Sequence, residues 1–386
     1  MISKIQFSVE RRTDLDWLRI IAVLLLVPFH SSLVFNLHPE VVMYIKDHVD
    51  SNLLGRLAGW VYLFHMPLLF YVAGASSYFA LKKRSHLQYL GERLSKLLLP
   101  AITGLILLVP PMTYLSLVSR GITVTFWQHY IGFWQIDPID ISGINGKFTP
   151  AHLWFLIFLF IYSLVALPLF SLLSKEKLQS RFRMLIDRTG TLPILLVLFV
   201  FLVLSARLNI LGDKNPVYYF LMFFFGYLLM MDKRFQHSLD QYAFWALGAG
   251  IVCEFIREFL YSSIPEWANP NLTYFLIGQL NRWVWLLAIL GLGHRFLNQS
   301  NRLLKYLSSA SFPFYLLHLL MNTLVAFYVI KLPIGIGPKY LIIVIVTIAS
   351  TFGLYEIIRR IPVLRYLLGI KKANAPSNPA DRKKNN

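Results

Sequence analysis

The stretch Leu15–His30, LDWLRIIAVLLLVPFH, decides the architecture of this chain. Between Arg19 and His30 runs IIAVLLLVPF, a segment a bilayer accepts, with a cation at one end and an imidazole at the other. An ionisable group at bilayer depth costs about 2.5–3.5 kcal/mol on insertion scales, so it faces protein or a wet cavity rather than lipid. Eleven helical positions make about three turns, which puts Arg19 and His30 on one face, roughly 16 Å apart along the axis. Asp16 precedes Arg19 by three residues, the spacing at which helical side chains meet, and is expected to hold it. Pro28 removes a backbone donor beside His30, and Ser31 and Ser32 can satisfy the carbonyls this frees.

Outward from that segment the pattern repeats. Of the 386 residues 56% are hydrophobic and 15% charged, where a soluble domain carries about 25% charged. Apolar runs fall near 17–37, 57–81, 97–117, 152–173, 191–210, 217–231, 242–262, 272–296, 311–330 and 338–358. Most are close to the ~20 residues that cross a hydrocarbon core. They are continuous rather than alternating, which excludes a transmembrane β-barrel. The expected fold is therefore all-α: one polytopic transmembrane helical bundle over residues 1–370, about ten spans, followed by a disordered basic tail at 371–386. With the N-terminus inside, the inner loops carry 26 Lys and Arg and the outer loops 7. Such a bias orients a bundle and puts both termini in the cytoplasm. The net charge of +18 is accounted for by these loops, so no nucleic-acid partner is expected; membrane lipids are. Cys253 stands alone, so no intrachain disulfide forms.

Further polar groups lie at membrane depth. His65 sits in YLFHMPLLF on the second span and His318 in FPFYLLHLL on the ninth. His152, next to Trp154, opens the fourth span in TPAHLWFL. Each is either a hydrogen-bonded packing residue or the wall of a cavity. Glu254, Arg257 and Glu258 are spaced to pair within the seventh span. In the long outer loop Trp127, His129, Tyr130, Trp134, Asp137 and Asp140 suit either sugar binding or an interfacial aromatic belt. On the inner side Arg93 and Lys96, three apart before apolar LLLP, are expected to point together at a cavity mouth. No Walker loop, GxGxxG, HExxH, GxSxG or metal-ligand spacing occurs, and no metal is expected. Two function classes remain: an enzyme acting across the bilayer, with His30 as base or acyl carrier, and a transporter or flippase for a sugar-linked or anionic solute.

The chain resembles the acyltransferase 3 family of membrane acyltransferases. The resemblance rests on Leu-Asp before an arginine, ten residues and a histidine (Leu15–His30), and on a basic pair after the next span. In this chain the pair is Arg93 and Lys96, where the family has two arginines; lysine keeps the charge and loses the planar fork. PFHSSLVF at 28–35, HLWFL at 152–156 and LYEIIRRIPVLRYLLG at 354–369 look like the branch that succinylates periplasmic glucans. The resemblance implies an inner-membrane O-acyltransferase with a cytoplasmic acyl-CoA donor (acetyl-CoA or succinyl-CoA) and a glycan hydroxyl acceptor on the outer face. Carried over, it makes His30, Arg19 and Asp16 the catalytic set and Arg93 and Lys96 the donor-binding pair. His318, His152, His65 and Trp154 become cavity residues.

Overall fold

A computed structural model describes residues 12–38, 41–137, 140–208, 210–211, 214–263 and 272–370. The expected disordered tail, 371–386, lies outside them. Among the described residues every regular element is a helix. In chain order they are α1 (Thr13–Leu24), α2 (Leu26–Leu33), α3 (Asn52–Leu81), α4 (His86–Arg93), α5 (Leu99–Leu107) and α6 (Val109–Ser119). Then come α7 (Phe126–Gly132), α8 (Trp154–Leu173), α9 (Glu176–Thr189), α10 (Leu192–Arg207) and α11 (Pro216–Leu229). The last five are α12 (Lys233–Ser263), α13 (Leu272–Phe296), α14 (Arg302–Val329), α15 (Ile336–Ile358) and α16 (Pro362–Leu367).

This is a multi-pass membrane protein. Each of the ten apolar runs falls on helix, but only seven described helical segments are long and apolar enough to cross a bilayer. α9 and α10 form an eighth only if their 108° bend is counted within one span. Gly190, with φ +76°, makes that corner, a backbone state that costs glycine little. α11 is short, and α12 carries Glu254, Arg257 and Glu258 along its length. The expectation of about ten spans therefore exceeds what length and composition support in the folded chain.

Two local features position the site. The first span breaks between α1 and α2 at Leu25, because Pro28 has no N–H to give the Leu24 carbonyl. The backbone bonds Leu25 N to Ile21 O (2.9 Å) and Phe29 N to Leu25 O (3.1 Å) keep the two pieces on one path. Second, α3 and α11 cross in near contact. A Cβ on Gly74 would lie 1.8 Å from the Phe223 carbonyl oxygen, and one on Gly226 2.0 Å from that of Tyr71. Small residues that let backbones meet are the usual device for helix association in lipid. At one end of the bundle residues 34–38, 41–51, 133–137 and 140–151 connect the helices and supply part of the wall of a cavity. A buried ion pair from Asp47 to Lys339 at the start of α15, 2.7 Å long, fastens the second of them.

Candidate active site

Beneath those segments lies a cavity of about 570 Å³, within the size range of small-molecule sites. His30 on α2, His65 and Tyr62 on α3, His152 and Trp154 at the start of α8, Tyr219 on α11, and Tyr315 and His318 on α14 all line it. Residues 41–44, Ser142, Thr149 and Lys214 form its loop wall. Among the described residues the lining carries no carboxylate.

The helices aim these side chains by ordinary periodicity. His318 follows Tyr315 by three residues and precedes Asn322 by four, so the three share a face of α14. Asn322 Nδ2 donates to Ser31 Oγ at 2.8 Å, tying α14 to α2 beside His30. The His30 and His318 ring centroids are 5.4 Å apart, those of His152 and His318 5.3 Å. His152 is drawn inward by α14: its Nε2–H donates to the Leu316 carbonyl at 3.0 Å, and the Tyr315 hydroxyl donates to its backbone carbonyl. His65 donates Nδ1–H to Val61 O at 2.9 Å and packs on Phe29, centroids 4.8 Å apart. Trp154 packs on Tyr219 at 5.4 Å. His30 Nδ1 is buried and unpartnered, while the rest of the half-buried ring meets the cavity.

The structure thus gathers His30, His65, His152, His318 and Trp154 into one space. Arg19, Asp16, Arg93 and Lys96 are outside its lining. Arg19 lies on the α14-facing side of α1, as the one-face reading requires: its Nη2 donates to Asp16 Oδ1 and to Ser308 Oγ, both at 2.9 Å. The expectation that Arg93 and Lys96 point together fails. A π-helical turn, Leu94–Leu98, follows Arg93, and its wider winding changes the angle between successive side chains. Arg93 Nη2 donates to Ser77 Oγ (3.0 Å) with the guanidinium over Tyr89, whereas half-exposed Lys96 pairs with Glu92 at 3.1 Å.

The outer-loop residues divide. Trp127 is exposed, and His129 is buried with Nε2 3.0 Å from both Thr113 Oγ1 and Pro110 O. Burial pushes the His129 imidazole below its ordinary titration range. Neither lines the cavity. In α12 Glu254 pairs with Arg257 at 2.5 Å as spaced, but Glu258 reaches across to Arg56 on α3 at 2.6 Å. Sequence reasoning passed over Tyr315 and Asn322. Their signal was available in their offsets of three and four from His318. Among the described residues no three His, Cys, Asp or Glu are arranged to hold a metal ion.

A buried imidazole facing a cavity beside a membrane-spanning bundle suits acid–base or nucleophilic chemistry on a bound substrate. Comparison with known families agrees. The acyltransferase 3 model, an acyltransferase domain, matches residues 12–356. The chain belongs to this acyltransferase family. The glucans biosynthesis proteins C of Salmonella schwarzengrund and Salmonella heidelberg are each 24% identical to it over 383 residues. Those alignments cover 94% of this chain and 95% of each relative. The protein of the same name from Salmonella typhi is equally similar. No solved structure matches.

Proposed function

We propose that this acyltransferase moves a short acyl group, acetyl or succinyl, from cytoplasmic acyl-CoA to a hydroxyl of a glycan beyond the outer face of an inner membrane. The observation that carries this reading is His30: one edge of its ring is sunk in protein, and the ring borders a cavity large enough for a sugar residue. His30 acts as general base. It accepts the hydroxyl proton as the glycan oxygen attacks the thioester carbonyl; the new C–O bond forms, the C–S bond breaks, and the leaving thiolate takes the proton back. His65, His152, His318 and Trp154 shape the acceptor's place. Trp154 and Tyr219 offer the apolar ring faces against which sugars pack.

The cations serve the donor from the opposite end. Arg19, steadied by Asp16 and Ser308, orients an anionic part of it, and Arg93 and Lys96, each from its own direction, meet its phosphates near the membrane surface. The names of the similar proteins support a glucan acceptor, and the inner-loop excess of Lys and Arg supports donor entry from the cytoplasm.

The test uses purified protein in proteoliposomes with acetyl-CoA or succinyl-CoA and a glucan acceptor, reading free thiol and glycan mass together. His30→Ala should abolish both signals while leaving thermal unfolding unchanged. Undiminished transfer by that variant refutes the base. An acyl group trapped on the protein without acceptor would replace direct attack by an acyl-imidazole route.

A further inference from the structure

The atoms around His318 specify more than a cavity wall. The His318 side chain is fully buried in α14, and its Nδ1 is 2.7 Å from the Tyr315 carbonyl oxygen. A carbonyl only accepts, so Nδ1 carries the hydrogen and the neutral ring presents a lone pair at Nε2. That Nε2 is buried with no partner, and so is Nδ1 of His30. The two rings are tilted by 36° with centroids 5.4 Å apart, a separation that an N–H···N bond of about 3 Å spans once the rings turn toward each other. Buried polar groups are normally paired, and each of these two nitrogens is satisfied if it meets the other.

We propose that His318 is the positioning residue of this site: its Nε2 accepts the Nδ1–H of His30 and so holds the His30 lone pair on Nε2, toward the cavity. The inference rests on the reading of His30 as the base and adds which nitrogen does the work and what keeps it there. The other rings face elsewhere. His152 gives its Nε2–H to Leu316, so it has nothing to donate to His318; its Nδ1 is a second buried acceptor, but its ring contacts are with Tyr315 and His318 rather than His30. The donor of His65 is spent on Val61, and its ring contacts are with Phe29 and Tyr62 rather than His30. Tyr340 of α15 lies against Ser32, two positions past His30 and so on the other side of α2. Among the described residues the lining carries no carboxylate, and the orienting acceptor proposed is a neutral imidazole whose own tautomer is set by a main-chain carbonyl. When His30 takes up the hydroxyl proton, its Nδ1–H stays on His318, and the Nε2 proton is free to return to the thiolate.

Two variants separate this from packing. His318→Gln can place an amide oxygen near the lost Nε2, whereas His318→Leu fills the space and accepts nothing. The leucine variant should lose about 100-fold or more in kcat with KM for the thioester nearly unchanged, and glutamine should recover most of that loss. Nitrogen-15 NMR of histidine-labelled wild-type protein in lipid, with His30→Ala identifying the signals, should show His30 protonated on Nδ1. The leucine variant should show a mixture of both tautomers. The proposal is overturned by a wild-type His30 ring protonated on Nε2, or by equal kcat in the leucine and glutamine variants with an unchanged His30 tautomer. The wild-type spectrum decides even where a variant fails to insert. Retained transfer by His30→Ala would remove the base itself; an inactive His30→Ala beside a flat His318 comparison would remove only the positioning role.

Discussion

Lys339→Met should loosen the loop wall of the cavity by a measurable amount. Lys339 Nζ lies 2.7 Å from Asp47 Oδ2 and 2.8 Å from the Ile330 carbonyl, and the two paired side chains are only 9% and 3% exposed. Asp47 in turn anchors its segment through a backbone bond to Val34 O at 2.8 Å, just after residues 41–44, which line the cavity. Methionine keeps the apolar stem and leaves a buried carboxylate whose nearest remaining donor is the Val49 N–H at 3.3 Å. Removing one member of a buried pair costs about 3–5 kcal/mol, most of it the stranded charge. The Val49 bond survives, so about 3 kcal/mol is expected here. Asp47→Leu should cost a similar amount, while the double variant, with both charges gone, should recover to within about 1 kcal/mol of wild type. Denaturant unfolding in detergent micelles followed by tryptophan fluorescence gives the cycle, and acceptor KM should rise in each single variant. Single variants within about 0.5 kcal/mol of wild type, or a double variant equal to the sum of the singles, would refute the reasoning.

Gly226→Ala should destabilise the α3–α11 crossing by about 1–3 kcal/mol, because its new methyl meets a backbone oxygen that cannot swing aside. Gly353→Ala, on an exposed face of α15 with open space around it, should stabilise by up to about 1 kcal/mol in the same denaturant-unfolding assay. Arg19→Lys should lower turnover with the protein still inserted, since a flexible point-charge ammonium lacks the planar guanidinium that Nη2 pins against Asp16 and Ser308; unchanged kinetics would reduce Arg19 to a topology anchor. The side-chain hydrogen bond from Arg234 holds the Asp232 carboxyl below its ordinary value of 3.8. A depressed carboxylate contributes stability above its unfolded value and loses it as pH falls through the folded one. Wild type should therefore exceed Asp232→Asn in stability at pH 5–8 and converge with it below about pH 4. A gap that persists in acid would contradict this.

Much of the site was legible because its residues break a one-dimensional rule. His30, His65 and His318 stand out as polar groups in apolar runs, and their presence at depth asks for protein or a cavity around them. Arg19 and Asp16 were legible as a pair because helical spacing alone brings them together. His152 was not: at the end of a span it reads equally as an interfacial anchor, and only the Leu316 carbonyl and the Tyr315 hydroxyl turn it inward. Arg93 and Lys96 part because the chain makes a π turn where α-helical winding would have kept them on one face. Length and composition alone mark only seven or eight of the ten expected spans in the described residues for a related reason. An apolar run reports what a segment tolerates, whereas the corner at Gly190 and the length of α11 depend on how it packs.

By itself the sequence determined a membrane-embedded, all-helical chain, the first-span pattern that marks its acyltransferase family, and the small set of polar side chains carried to membrane depth. Those are properties of composition, period and backbone chemistry, and they need no partner. Only the tertiary structure decided that four histidines share one cavity and that the His30 and His318 rings lie 5.4 Å apart. Residues such as Ser31 and Asn322, 291 positions apart, meet through the packing of helices from opposite ends of the chain. No local pattern encodes that packing, because it is set by the combined fit of all the surfaces between them.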